Sequence, residues 1–232
     1  MKGTNIHWIG VFLLFTSSIL LLFVTLSAPI INHLGLLRIQ LGNSTKAHDF
    51  NLVFGTFGYC TLNAMPNGND VCTGRHIGYE PAALMARIDN TGFDSLSGGT
   101  SDAFTRIMIL HPIACGVAFI AFLLSMGGGI IGSLAGALTA FVAWILTIIV
   151  LATDFTLFGV VRNHVNHDAT DSEAYFGSAI WMLVASFMML GLGMAILLFT
   201  CCVARREHKK NKVDTAGKET RSGRRKKRFG IF

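Results

Sequence analysis

Four long apolar runs interrupt this 232-residue chain, and they limit its fold more than any motif does. They cover residues 8–28, 104–126, 130–152 and 175–203, and none has a Lys or Arg at its centre. About 20 residues at ~1.5 Å rise cross the ~30 Å hydrocarbon of a bilayer, so each run is long enough to be read as a transmembrane helix. A soluble reading would need one large core. Here only 14% of residues are charged and 52% are hydrophobic, against about 25% charged in an ordinary soluble domain. The first run follows Lys2 and ends in small residues, as a signal peptide does. A signal core is about 7–15 residues long and this run is longer, so a retained helix is expected.

Charge placement predicts the orientation. Twelve of the 19 Lys and Arg lie between Arg205 and Arg228, which places the 204–232 tail in the cytosol by the positive-inside rule. Four crossings then put residues 1–7 in the cytosol as well, with the 127–129 glycine turn inside. The segments 32–103 and 153–174 fall outside. Their composition agrees, since the second carries Asp154, Asp168, Asp171 and Glu173 against Arg162 alone. The tail has no aromatic interleaving and does not read as a nucleic-acid surface. The run Arg224-Arg225-Lys226-Lys227-Arg228, with Arg205 and Arg206 beside the fourth helix, reads as a contact with the anionic inner leaflet.

The 32–103 segment is too long to be a bare connection. Asn43-Ser44-Thr45 is a glycosylation sequon, which suits an outside face. Cys60 and Cys72 are the only cysteines outside the predicted helices. Outside the cell such a pair is expected to be oxidised, stabilising the loop by roughly 3 kcal/mol, with two free thiols as the alternative. The residues 51–60 are rich in aromatic and β-branched types, and 73–79 are strand-like too. Between the cysteines, 65–70 is turn chemistry throughout. A small antiparallel sheet is expected, its two strands clipped by the disulfide.

Several strings together carry a resemblance. They are Phe54-Gly55-x-Phe57-Gly58-Tyr59-Cys60, then Cys72-x-Gly74-x-x-Ile77-Gly78-Tyr79, with His111-Pro112, Asp154-Phe155-x-Leu157-Phe158 and Ser27-Ala28-Pro29-Ile30 around them. In this combination the chain resembles the fungal PalI family of pH-response regulators, which sits in a wider group with eisosome proteins and, more distantly, claudins. It lacks the tryptophan that claudins carry ahead of the first-loop glycine. The resemblance implies a membrane all-α fold: a claudin-like four-transmembrane-helix bundle with a small disulfide-clipped antiparallel β ectodomain. It also implies a plasma-membrane accessory of alkaline-pH signalling, helping a multispanning sensor of the PalH type to reach or stay in the membrane. The alternative is a claudin- or eisosome-like organiser of membrane domains.

Some polar residues stand out. His111 lies inside a run, and ionisable groups within a bilayer are functional candidates by default. It could instead bond a neighbouring carbonyl beside a Pro112 kink. Asp154 is expected in the outer headgroup zone, capping or pairing. His164 and His167 form His-x-x-His near several carboxylates, where they could titrate with external pH or simply sit in a solvated loop. Cys201 and Cys202 at the inner membrane edge are candidates for S-palmitoylation. Gly128, Gly132 and Gly136 give the third helix a face for close packing, either within the four-helix bundle or with a partner's helix. There is no catalytic set, no phosphate-cradling loop and no helical metal motif, so no enzyme activity and no cofactor are expected.

Overall fold

The structure, a computed structural model, describes residues 2–41, 51–64, 67–75, 79, 81, 84–85, 107–127, 130–167 and 172–228. Four helices dominate: α1 (Lys2–Thr25), α2 (Leu110–Met126), α3 (Ile130–His167) and α4 (Ser178–Arg228). Within α1, α3 and α4, the stretches Asn5–Thr25, Gly132–His167 and Ser178–Arg206 are long and apolar enough to cross a membrane. The fourth apolar helix, α2, has 17 residues, about 26 Å at 1.5 Å per residue and slightly under the hydrocarbon thickness. Each helix packs on two neighbours, in the ring order α1, α2, α3, α4 and back to α1.

The helix limits differ from the hydropathy runs for physical reasons. Pro112 is the third residue of α2. A first-turn proline loses no intrahelical hydrogen bond, so it starts the helix and does not kink it. Where a loop was expected from 153, α3 continues to His167. Hydropathy falls there, but Leu157, Phe158, Val161 and Val165 still lie on one helical face and are all buried. Tyr175 and Phe176, expected to open the fourth helix, belong to a strand, and α4 begins two residues later at Ser178. The basic tail stays helical as far as Arg228.

Five short strands form one antiparallel sheet in the order β4-β3-β2-β1-β5. They are β1 (Leu37–Gln40), β2 (Asn51–Phe54), β3 (Tyr59–Leu62), β4 (Val71–Cys72) and β5 (Glu173–Phe176). The sheet corrects the two-strand expectation. Residues 51–60 fold back on themselves, with the Gly55 N–H bonded to the Gly58 carbonyl at 2.9 Å, so they make a hairpin and not one strand. The partner across the disulfide is the two-residue β4, ahead of Gly74 and not after it. Cys60 and Cys72 face one another across β3 and β4 and are joined as a disulfide. The fifth strand comes from the far end of α3, so the sheet ties both halves of the chain together.

The sheet stands on one end of the bundle without a gap. Leu37, Ile39, Leu52 and Phe54 continue the same buried cluster that runs through Val11, Leu14 and Leu21 of α1 and Leu183 and Leu190 of α4. Ala28, Val53, Cys60 and Leu62 form a second, smaller cluster under the disulfide. Large apolar side chains point outward along all four helices, among them Phe12, Phe119, Phe141 and Phe199.

Two glycines permit this seating. A Cβ on Gly55 would lie 2.1 Å from the Ala28 carbonyl oxygen, and one on Gly177 would lie 2.1 Å from that of Gly35. Both obstacles are backbone and cannot rotate away. Gly55→Ala is therefore expected to destabilise the fold by about 1–3 kcal/mol or more, as overpacking does. Thermal unfolding of the purified variant in detergent measures this, and an unchanged midpoint would disprove the close approach.

Candidate functional site

Several of the residues that carried the family resemblance, Ser27, Phe54, Gly55 and Tyr79 among them, meet at one place, the seam between sheet and bundle. Just past the end of α1, Ser27 Oγ lies 3.0 Å from Thr56 Oγ1 and accepts the Thr56 backbone N–H at 2.9 Å. Thr56 Oγ1 donates to the Val24 carbonyl at 2.9 Å, which at the end of the helix also accepts the Ser27 N–H at 3.2 Å. One residue away, the Gly55 carbonyl accepts the Tyr79 hydroxyl at 2.5 Å. The Tyr79 ring stacks on Phe54, centroids 6.2 Å apart. Burial, and then the nearby Asp154 carboxyl, hold the Tyr79 phenol well above its ordinary range, so it stays a hydrogen-bond donor.

Below this seam, His111 of α2 meets Asp154 of α3, with Nε2 to Oδ2 at 3.0 Å. The other ring nitrogen, Nδ1, lies 3.1 Å from the Met108 carbonyl oxygen, just ahead of α2. The two residues are 1% and 0% exposed. Asp154 Oδ1 has no hydrogen-bond partner among the described residues. The sequence marked both positions as polar without joining them. Nothing in a sequence 43 residues apart signals a pairing, and the helix ring is what brings them together.

The other marked residues are placed as follows. Phe54 and Gly58 are buried, while Phe57 and Tyr59 are half-buried. Asn43, Ile77 and Gly78 lie outside the described residues. His164 and His167 sit in the last turn of α3, and the carboxylates at 168 and 171 lie outside the described residues. No group of three or more His, Cys, Asp and Glu with metal-binding geometry occurs among the described residues. Cys201 is buried and Cys202 is exposed. Arg205 and Arg206 are exposed on α4. Arg224, Arg225, Lys226, Lys227 and Arg228 are in the same helix, with no side-chain placement described.

Three polar contacts were missed in the sequence. Ser17 of α1 and Ser186 of α4 bond each other at 2.9 Å in mid-bundle. His7 Nε2 lies 3.2 Å from the Ser125 carbonyl at the end of α2. Asn166 grips β5 with both amide atoms, accepting the Ala174 N–H at 2.7 Å and donating to its carbonyl at 3.0 Å. A hydroxyl inside an apolar run is a signal of such pairing, and the Ser17-Ser18 and Ser186 positions carried it. Of the marked glycines, Gly136 is used within the bundle, since a Cβ there would lie 2.9 Å from the Ser125 backbone nitrogen of α2, while Gly128 lies outside the described residues.

Removing one partner of a buried pair leaves the other uncompensated, whereas replacing both with apolar groups need not. His111→Ala is therefore expected to destabilise the protein by about 3–5 kcal/mol, with the His111→Leu/Asp154→Leu double variant losing much less. Tyr79→Phe leaves the Gly55 carbonyl unbonded and is expected to cost about 1–3 kcal/mol. Thermal unfolding of all three checks both, and a double variant as unstable as His111→Ala would argue against the pair.

Known proteins share parts of this sequence. The model of the SUR7/PalI family matches residues 6–193, which include most of α1, all of α2 and α3, the sheet and the first part of α4. Over 114 residues (49% of this chain and 14% of the relative) the sequence is 32% identical to the pH-response regulator protein palI/prr-5 of Neurospora crassa. Over 108 residues (46% and 12%) it is 35% identical to the pH-response regulator protein palI/RIM9 of Pyricularia oryzae. The chain thus matches only a small fraction of the length of these two relatives.

Proposed function

The chain belongs to the SUR7/PalI family, and from that membership we propose that this multi-pass membrane protein is a non-enzymatic accessory of ambient-pH signalling at the plasma membrane. It would help a multispanning sensor of the PalH type reach or remain in that membrane, by lateral helix packing and by contact through the sheet. The observation that carries this reading is the pair of relatives named as pH-response regulators, together with a family match that covers residues 6–193. The site supports it: the buried polar groups at the seam bond one another and the backbone, which suits holding two elements together. All four helices cross the bilayer in this reading, with α2 completing the ring.

The geometry suits both termini in the cytosol. His7 and Ser125 meet at one end of the bundle, and Gly10 packs beside Leu197 near that end. The sheet and its disulfide stand at the other. With the basic tail inside, the disulfide faces the oxidising side, and the exposed Arg205 and Arg206 lie at the anionic inner leaflet. Cys202, exposed beside them, is the accessible thiol for acylation, and Cys201 faces the bundle.

Deleting the gene is expected to impair growth at alkaline pH and processing of the pathway's transcription factor. Normal growth and processing would refute the signalling role. A second reading, an organiser of plasma-membrane domains, draws on the broad apolar surface of the helices, which fits a neighbour's helix as well as lipid. Immobile cortical foci of a tagged protein would favour it. Acyl exchange should label Cys202 and spare Cys201, and labelling of Cys201 alone would reverse that assignment.

A further inference from the structure

His111 is held between two acceptors. Its Nδ1 lies 3.1 Å from the Met108 carbonyl oxygen and its Nε2 lies 3.0 Å from Asp154 Oδ2. A carbonyl oxygen only accepts, so the hydrogen of a neutral ring belongs on Nδ1. Nε2 is then a lone pair facing a carboxyl oxygen. That contact is a hydrogen bond only if a second hydrogen sits in it, either on Nε2 as imidazolium or on Oδ2 as the neutral acid. Both forms contain one proton more than a neutral His111 beside an ionised Asp154. Without that proton the pair would carry a net negative charge, with Oδ2 facing a lone pair and Oδ1 unbonded among the described residues. Burial of a charge in that condition is heavily penalised.

The geometry points to a single-proton latch: one proton between His111 Nε2 and Asp154 Oδ2 ties the start of α2 to α3 beneath the sheet, and its loss as the outside turns alkaline frees that tie. The proton leaves to bulk water and the pair goes from neutral to singly negative. Among the described residues, the groups around it are few. From the sheet side Tyr79 faces Asp154, with its hydroxyl hydrogen committed to the Gly55 carbonyl. One turn along α2, Cys115 bonds the Ser18 carbonyl of α1 at 3.6 Å. On α3, Arg162 lies two turns beyond Asp154, over the Phe176 ring. Within the apolar parts of α1 and α4, residues 8–25 and 178–204, there is no Asp, Glu, Lys, Arg or His. Among the described residues, Asp154 and His111 thus answer mainly to each other. The link to signalling rests on the proposed function, whereas the latch is a property of the isolated chain.

Asp154→Asn is the discriminating variant. The asparagine amide donates to Nε2 of a neutral His111 and fills the same bond without a titratable proton. The test is thermal unfolding in lipid nanodiscs, followed by tryptophan fluorescence between about pH 6 and 9, a range that brackets imidazole titration. The wild-type midpoint is expected to fall as pH rises, and that slope should be lost in Asp154→Asn. A merely structural pair would shift the midpoint and keep the slope, so parallel profiles would overturn the latch. If Asp154→Asn does not fold, the His111→Leu/Asp154→Leu double variant should lose the slope in the same way, since it has no titratable group at the site. If neither folds, NMR of the wild type with labelled histidine decides. One ring must keep its Nδ1 hydrogen throughout and change at Nε2 with pH, and a set of histidines with no such ring overturns the proposal. A variant that loses the slope yet supports normal alkaline growth would separate the latch from signalling, and a failed latch would leave the deletion phenotype standing.

Discussion

Lipid provides no hydrogen bonds, so every polar group placed in it must be satisfied within the protein. Several helix hydroxyls obey this, although Ser133 Oγ is buried with no partner among the described residues. Thr16 bonds the Phe12 carbonyl, Ser18 that of Phe15, Thr139 that of Ala135 and Thr147 that of Ala143. Each side chain folds back on its own helix, whether half-exposed like Thr16 or buried like Ser18 and Thr147. Where a hydroxyl faces the bundle centre, the partner can lie on another helix, as with Ser17 and Ser186. The same requirement governs His111 and Asp154. Neither could stay buried alone, so the two must meet, and their meeting fixes how α2 sits against α3.

Apolar area cannot drive helices together in a solvent as apolar as they are, and close packing must do more of the work. Small residues supply it. Gly10 and Gly193 bring α1 and α4 within reach of each other's backbone, and Gly136 lets α3 press on the Ser125 turn of α2. Gly55 and Gly177 do the same where the sheet lands on the bundle. Once the backbones are that close, the hydrogen bonds from Thr56, Tyr79 and Asn166 fix the register.

The sequence disclosed most of what depends on solvent and little of what depends on contact. The lipid-facing runs, the charge asymmetry and the single pair of non-helical cysteines were all readable, because each reflects its local surroundings. The hairpin at Gly55–Gly58 was partly readable: two glycines stood in a strand-like string, but nothing local separated a bulge from a reversal. The outer extension of α3 was hidden by polarity. Its Leu157, Phe158, Val161 and Val165 stripe is spaced for a helix, yet it faces the sheet and not lipid, so average hydropathy missed it. The short β5 was hidden for the opposite reason, since its apolar residues merged into the run that follows. The pairing of His111 with Asp154 depends on the ring order of the helices, which no local pattern encodes.

The length of α3 decides how the two ends of the molecule communicate. It is one unbroken helix of 38 residues, about 57 Å at 1.5 Å per residue. Gly136 fixes it to α2 near one end, Asp154 fixes it again at the seam, and Asn166 and Arg162 bind it to β5 and Phe176 beyond. A helix held at three levels cannot change its angle at one of them without straining the others. The seam is the only level of the three where the attachment is a buried ionisable pair. It is therefore the level at which a change in protonation alters the constraint, while the glycine contact and the asparagine bonds stay as they are.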